Sequence, residues 1–128
     1  MASNHHRRDK IKVSNTGYSN YTYKIVVGRS ASLTGTFVDR NGAPMLEGNA
    51  TVVMSSASGD VLYGPGHNAE IITDRRGQDY IFYHCHCSTL SSSGDDRYGC
   101  LQRIYWDADG WPYVTGAKPA RTDLVPLF

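Results

Sequence analysis

The chain has 128 residues, of which 40% are hydrophobic and 20% are charged, and its net charge is +1 with the histidines neutral. This composition is typical of a globular domain and not of a disordered segment. A net charge this close to zero gives no electrostatic basis for binding nucleic acid. The sequence has no apolar run of about 18 residues, which a membrane helix needs, and no apolar segment after its first charges, so we expect neither a membrane span nor a secretory signal in these residues.

The composition favours an all-β fold with many turns. Nine Tyr and thirteen Gly are present, and no stretch has a sustained helical period. Gly, Ser and Thr recur about every ten residues, which is the spacing of strands in a sandwich, barrel or propeller. Residues 1–17 carry no clear pattern. We therefore predict a disordered or frayed N-terminus there, and a single domain over residues 18–128.

The first part of the domain predicts two strands. Residues 21–27 combine aromatic and β-branched side chains, and we expect the segment Gly-Arg-Ser at residues 28–30 to end this strand. Residues 39–42 contain the Asn-Gly pair of a tight turn. Residues 51–54 form a short apolar run that predicts the second strand.

The middle of the chain contains Gly-Pro-Gly at residues 64–66, which predicts a sharp bend. Pro presets its φ angle, and Gly accepts backbone conformations that other residues avoid. We expect the bend to place His67 at the start of an extended run over residues 69–73.

Three later segments have the strand pattern, residues 78–84, 101–106 and 111–114. Short strands that are joined by turns in chain order form antiparallel meanders, and a propeller blade is one such four-strand meander. Residues 66–114 therefore amount to one blade, and residues 21–54 to half of another.

Four motifs follow one another in an order that is hard to obtain by chance: Tyr-Lys-Ile-Val-Val-Gly-Arg-Ser at 23–30, Gly-Pro-Gly-His-Asn at 64–68, Tyr-His at 83–84 and Tyr-Trp-Asp-Ala-Asp-Gly-Trp-Pro-Tyr-Val at 105–114. Together they resemble the C-terminal part of arabinanase-like members of glycoside hydrolase family 43, over about residues 19–128. The resemblance implies a partial five-bladed β-propeller, with about one and a half blades in this chain.

The resemblance also implies an inverting hydrolase of arabinan or arabinoxylan-type polysaccharide. Inversion needs two carboxyl groups, one acid and one base. In the family, the base Asp belongs to the first blade and the acid Glu precedes the segment that matches residues 19–30. The only glutamates, Glu47 and Glu70, do not match the acid position. We therefore assign no catalytic residue and expect a C-terminal fragment that is inactive alone. Family members are often secreted or periplasmic, but these residues indicate no compartment.

His67 is the candidate metal-binding residue. In the family, the His of the Gly-Pro-Gly-His-Asn motif points into the central channel and contacts a metal ion, usually calcium, largely through water. The residues alone favour a corner histidine that caps a strand, because calcium prefers oxygen ligands. The calcium assignment for His67 therefore rests on the resemblance.

The run His84-Cys85-His86-Cys87 suggests a zinc site at first sight. In a strand, however, the two histidines point to one face and the two cysteines to the other, whereas a structural zinc site wants about four ligands. Cys87 and Cys100 flank a long polar loop and could form a disulfide across a hairpin. Three unpaired thiols are the plainer interpretation.

Two further groups have a structural interpretation. Trp106 and Trp111 could stack on sugar rings, but their place in a hairpin on the outer side of a blade favours packing. Asp107 and Asp109 look like a pair of carboxylates, but beside a glycine they are typical turn formers.

Two alternatives to a hydrolase fragment stay open. One is a non-catalytic carbohydrate-binding or assembly module that uses the face of the blade. The other is a small zinc-binding β domain. As one and a half blades of a propeller, the chain leaves two sheet edges that a closed ring would cover, so we expect poor solubility or self-association.

Overall fold

A computed structural model describes residues 10–17, 22–56, 59–89, 97–120 and 126–128. It contains two antiparallel sheets whose strands, in chain order, are β1 (Lys10–Thr16), β2 (Lys24–Ser30), β3 (Thr51–Met54), β4 (Leu62–Gly66), β5 (Ile72–Thr73), β6 (Asp79–Cys87), β7 (Tyr98–Trp106) and β8 (Pro112–Tyr113). Two single-turn 3-10 helices span Met45–Glu47 and Thr115–Ala117. No helix in these ranges has the length and hydrophobicity that a membrane crossing requires.

The first sheet has the order β1-β2-β3. Its central strand β2 contains Ile25, Val26 and Val27, whose β-branched side chains suit a pleated surface and are buried. Residues 28–30 were predicted to end the strand but belong to it, because β1 pairs with β2 along its whole length. A Cβ atom at Gly28 would lie 2.0 Å from the Met45 sulfur, so this glycine makes room for a packed side chain.

The prediction of a frayed segment over residues 1–17 is wrong for residues 10–16, which form β1. This strand has a weak sequence signal, because only Ile11 and Val13 alternate with polar residues. Both pack against the core, and backbone pairing with β2 supplies the rest of the strand's order. Residues 1–9 lie outside the described ranges.

The second sheet has the order β4-β6-β7-β8, and β5 pairs with the start of β6. Along β6, the side chains of Ile81, Tyr83 and Cys85 alternate into the core. The three strands predicted in this region are confirmed in outline. The long ladder between β6 and β7 extends the first past His84 and starts the second at Tyr98, before its predicted beginning.

The Gly-Pro-Gly segment is not the predicted bend, since it forms the last three residues of β4. The register with β6 shifts between Tyr63 and Gly66, and Gly64 has a φ of 63°, which is the irregularity that the glycine permits. The turn comes at His67 instead. Of the strand predicted after it, only Ile72–Thr73 forms a regular strand, and Ala69 donates one further backbone hydrogen bond to Phe82 at 2.8 Å.

The core lies where the two sheets face each other. The buried side chains come from both sheets and from the last turns: Ile25, Val27, Val53, Met54, Ile81, Tyr83, Cys85, Ile104, Trp111 and Val114. The two sheets therefore share one hydrophobic layer, and the all-β prediction is confirmed.

Candidate functional site

A cluster of histidines and tyrosines lies at the end of β4. His67 follows directly after this strand, is exposed, and has a φ of 47°. A left-handed backbone costs a residue with a Cβ atom about 1 kcal/mol or more, and such strain is concentrated at functional sites. The buried residues Tyr63 to Gly66 fix the strand that presents this histidine to solvent.

His84 lies beside His67, because the register pairs Gly66 with His84 across β4 and β6. The ring centroids of the two histidines are 5.6 Å apart. The Tyr23 ring stacks on the His84 imidazole, with ring centroids 5.9 Å apart. A Cβ atom on Gly66 would lie 2.0 Å from the Tyr23 ring, so this close approach requires glycine.

His86 extends the cluster along β6. It lies on the same face of the strand as His84, opposite to the face that carries Cys85 into the core. The Tyr63 ring stacks on it with centroids 5.2 Å apart. His86 is almost completely buried, whereas His67 is exposed, so the cluster passes from the interior to the surface.

The surroundings of His84 lower the pKa of its imidazole. Burial is the main cause that lowers the pKa of this imidazole, and the charges of Arg97, His67 and His86 lower it further. Its Nδ1 atom is buried and has no hydrogen-bond partner among the residues that the structure describes. A neutral imidazole with an unsatisfied ring nitrogen can accept or donate one further hydrogen bond.

The cluster does not by itself make a calcium site. Calcium takes six to eight oxygen ligands, and the described ranges bring together no group of three or more His, Cys, Asp or Glu that could hold a metal ion. The zinc alternative meets the same difficulty. Cys85 points into the core and His84 to the opposite face, so the four-residue run splits as strand geometry requires.

The described carboxylates with defined partners have structural roles. Asp79 accepts hydrogen bonds from Trp106 Nε1 at 2.6 Å and from the Thr73 hydroxyl at 2.5 Å. The Asp107 Oδ1 atom accepts from backbone N–H groups of its own turn. Glu47 and Glu70 are exposed, the first in a 3-10 turn and the second after β4. The turn-forming interpretation of Asp107 is therefore confirmed.

The tryptophans are packed against protein groups. Trp111 is 4% exposed and lies under two guanidinium groups, Arg29 at 4.4 Å and Arg40 at 5.4 Å from its ring centroid. Trp106 donates its indole N–H to Asp79. These contacts agree with the packing interpretation and assign neither ring to a sugar.

The structure brings Cys85 close to Cys100, with the two sulfur atoms 2.8 Å apart. The pairing of Cys87 with Cys100 that the sequence suggested is not formed. Cys87 lies two positions further along β6, where its sulfur contacts Thr89 Oγ1 at 3.3 Å. Sequence reasoning missed this pair because it depends on the β6–β7 register, which aligns Tyr83 with Cys100.

A separate cleft of about 680 Å³ lies between β1 and the segment that follows β4. It combines apolar with polar side chains, including Phe37, Asn68, Glu70 and Trp106. Sequence reasoning missed it because its lining residues are spread along the chain from Lys10 to Trp106 and meet only through the packing of the two sheets.

Comparison with known proteins shows that the chain is similar to proteins described as glycosidases. The sequence profile described as glycosyl hydrolases family 43 matches residues 11–112. A probable arabinan endo-1,5-alpha-L-arabinosidase D of Emericella nidulans is 39% identical over 106 residues, which are 81% of this chain and 27% of that protein. An extracellular exo-alpha-(1->5)-L-arabinofuranosidase of Cellvibrio japonicus is 34% identical over 98 residues, 73% of this chain and 25% of that protein. The chain thus spans about a quarter of the length of these curated relatives.

Solved structures match the fold over most of the chain. A xylan beta-1,4-xylosidase from Bacillus halodurans matches with a TM-score of 0.73 and 20% identity, over 93% of this chain and 22% of that one. An alpha-L-arabinanase mutant from Cellvibrio cellulosa matches with a TM-score of 0.70 and 23% identity, over 91% of this chain and 37% of that one. The predicted fold class, part of a five-bladed β-propeller, is confirmed.

Proposed function

The chain belongs to glycosyl hydrolases family 43, and on this premise we propose that it is part of a glycosidase that hydrolyses O-glycosyl bonds in arabinan or an arabinoxylan-type polysaccharide. The observation that carries the proposal is the family match over residues 11–112 together with relatives whose names specify arabinan. The histidine cluster at the end of β4 is the surface that this proposal assigns to the substrate.

In this proposal, the catalytic acid and base of the glycosidase do not come from this chain. An inverting glycosidase needs an acid and a base about 6.5–9.5 Å apart on opposite sides of the scissile bond. Two observations support this part of the proposal: Asp79 and Asp107 are engaged in structural hydrogen bonds, and both glutamates are exposed outside the histidine cluster. The chain therefore contributes shape and binding groups, and it does not cleave arabinan alone.

Affinity electrophoresis combined with a hydrolysis assay tests this function. The purified chain is run in native gels that contain debranched arabinan or, as the control polysaccharide, dextran, and it is incubated with arabinan for a reducing-sugar assay. We expect selective retardation by arabinan and no release of reducing ends. Equal mobility in both gels would contradict the substrate class. Release of reducing ends that Glu70→Gln abolishes would contradict the absence of a catalytic carboxyl group.

We propose in addition that His67 takes part in binding a calcium ion. Because the described residues place no group of three or more potential metal ligands together, His67 would contact the ion through water, and oxygen atoms from other sources would complete its coordination. Binding of calcium at a tenfold excess over its dissociation constant would stabilise the chain by about 1.4 kcal/mol.

Thermal unfolding with calcium and with a chelator tests this assignment. We expect calcium to raise the Tm of the chain slightly, and we expect His67→Gly to abolish the increase. Because glycine accepts the left-handed backbone at this position, this variant should unfold at the same or a higher temperature than the parent chain without calcium. A calcium-induced shift that persists in the variant would remove His67 from the site.

The cleft between β1 and the segment after β4 favours a second candidate function, carbohydrate binding without cleavage. It has the volume of a small-ligand site and combines aromatic and polar side chains. Retardation in the arabinan gel that survives His67→Gly but is lost in Phe37→Ala would favour this module.

A further inference from the structure

Cys85 and Cys100 form a close pair of thiols on neighbouring strands. The register aligns Tyr83 with Cys100 and Cys85 with Tyr98, so the cysteines are diagonal neighbours. Their sulfur atoms are 2.8 Å apart. Cys85 is fully buried in the core, and Cys100 is half-buried and packs against the same core. The two side chains therefore already face each other, and Cys100 is the more exposed residue of the two.

The contact also changes the pKa values of the two thiols in opposite directions. The hydrogen bond between the sulfurs lowers the pKa of Cys100 and raises the pKa of Cys85, and burial raises that of Cys85 further. The thiolate is the reactive form of cysteine. Cys100 is thus the more accessible and the more readily ionised of the two.

We propose that Cys85 and Cys100 are an oxidative modification site, at which a low-molecular-weight disulfide such as oxidised glutathione cross-links β6 to β7. A disulfide needs the sulfurs at about 2.05 Å, so they must approach each other by less than 1 Å. The cross-link would hold the strand that carries His84 to its neighbour.

The reaction is a two-step exchange. The Cys100 thiolate attacks one sulfur of the reagent, whose S–S bond breaks, and the released thiolate takes up the proton that Cys100 lost. Cys85 then loses its proton and attacks the Cys100 sulfur of the mixed disulfide, which releases the second reagent thiol. The two protein thiols are oxidised by two electrons, and the reagent disulfide is reduced to two thiols.

Cys87 is the matched control in the same strand. It lies two residues from Cys85 and is also buried, but its sulfur contacts Thr89. The cysteines of the proposed pair are 15 residues apart in the chain. Closing a loop of this length should raise the Tm by about 10 °C in a domain of this size.

The experiment uses the full chain and its Cys87→Ser variant in dilute solution with oxidised glutathione, followed by thiol titration in denaturant and intact-mass measurement. Of the three thiols in the parent chain, we expect one to remain. In Cys87→Ser we expect no free thiol after oxidation, a mass lower by two hydrogen atoms, and no bound glutathione. We also expect the Tm of this variant to rise on oxidation and to fall again when a reductant is added. In Cys100→Ser we expect no cross-link.

Two thiols that persist in folded Cys87→Ser, or a disulfide that joins two chains, would overturn the proposal. Should that variant fail to fold, fragmentation of the cross-linked peptides from the parent chain decides: Cys100 joined to Cys85 supports the site, and Cys100 joined to Cys87 or to nothing refutes it.

Discussion

Asp74 ties the C-terminal residues to the body of the domain. Its carboxylate is fully buried, and it accepts hydrogen bonds from the backbone N–H groups of Arg76, Gln78 and Leu127 and from the Arg76 guanidinium. The backbone of Arg75 also donates to the Leu127 carbonyl at 2.7 Å. One side chain therefore closes the β5–β6 turn and fastens a segment that is 53 residues away.

The carboxylate of Asp74 makes stability depend on acid pH. Burial acts to raise its pKa, but the hydrogen bonds outweigh burial and lower the pKa from 3.8 to about 2. A group whose pKa is lower in the folded state stabilises the fold above its unfolded pKa. We therefore expect the parent chain to lose stability as the pH falls from about 4 to about 2.

Thermal melts across this pH range check the assignment. Asp74→Asn should lower the Tm by several degrees at neutral pH and flatten the acid limb, whereas the exposed control Glu70→Gln should change neither. An unchanged acid limb in Asp74→Asn would show that other groups cause the loss of stability.

Gly66 gives the Tyr23 ring room to stack on His84. Gly66→Ala should destabilise the chain by about 1–3 kcal/mol, because its Cβ atom would overlap the Tyr23 ring and displace it from His84. The control is Gly99→Ala, whose Cβ atom would meet the Phe82 ring at 3.0 Å, where that side chain is half-exposed and can move. Denaturant unfolding measures both. Equal losses in the two variants would contradict a specific role for the Gly66–Tyr23 contact.

At the level of single residues, only part of the site is predictable from the sequence. The Gly-Pro-Gly-His motif identifies His67, because the motif itself carries the family resemblance. His84 lies beside His67, and Cys100 beside Cys85, only because of the strand register. A shift of that register by one residue would separate both pairs. The Asp74–Leu127 hydrogen bond joins segments with no shared local pattern, so no local reading finds it.

At the level of elements, side-chain chemistry decided which strands were predictable. The β-branched run of β2 and the aromatic run of β6 identified those strands correctly. β1 was missed because its order comes from pairing with β2, and the Gly-Pro-Gly bend was misplaced because the glycine conformation produces a bulge inside β4. Propensity thus indicates where strands form, and pairing determines their ends.

The edge strands of the first sheet carry a prediction of their own. β1 and β3 are the outer strands of that sheet, and an uncovered edge presents unpaired N–H and C=O groups to other chains. We expect concentration-dependent association of the purified chain, measured by sedimentation velocity or by light scattering. A monodisperse monomer over a wide concentration range, with one sharp cooperative melt, would contradict it.

At the level of the whole molecule, the sequence predicted an all-β chain of adjoining meanders, and two sheets that share one core confirm it. The strand order within the second sheet follows the chain, as hairpin connections require. The cleft beside β1 could not be predicted, because its walls meet only after both sheets have formed.

In the proposed function, the end of β4 faces an arabinan chain in a family 43 glycosidase. Titration of the isotope-labelled chain with arabinohexaose, followed by the imidazole and indole NMR signals, tests it most directly. We predict that the ring signals of His67 and His84 shift while that of the buried His86 moves less and the Trp106 indole N–H stays in place. A shift of the Trp106 signal with both of those histidines unchanged, or no shift in any signal, would contradict the claim.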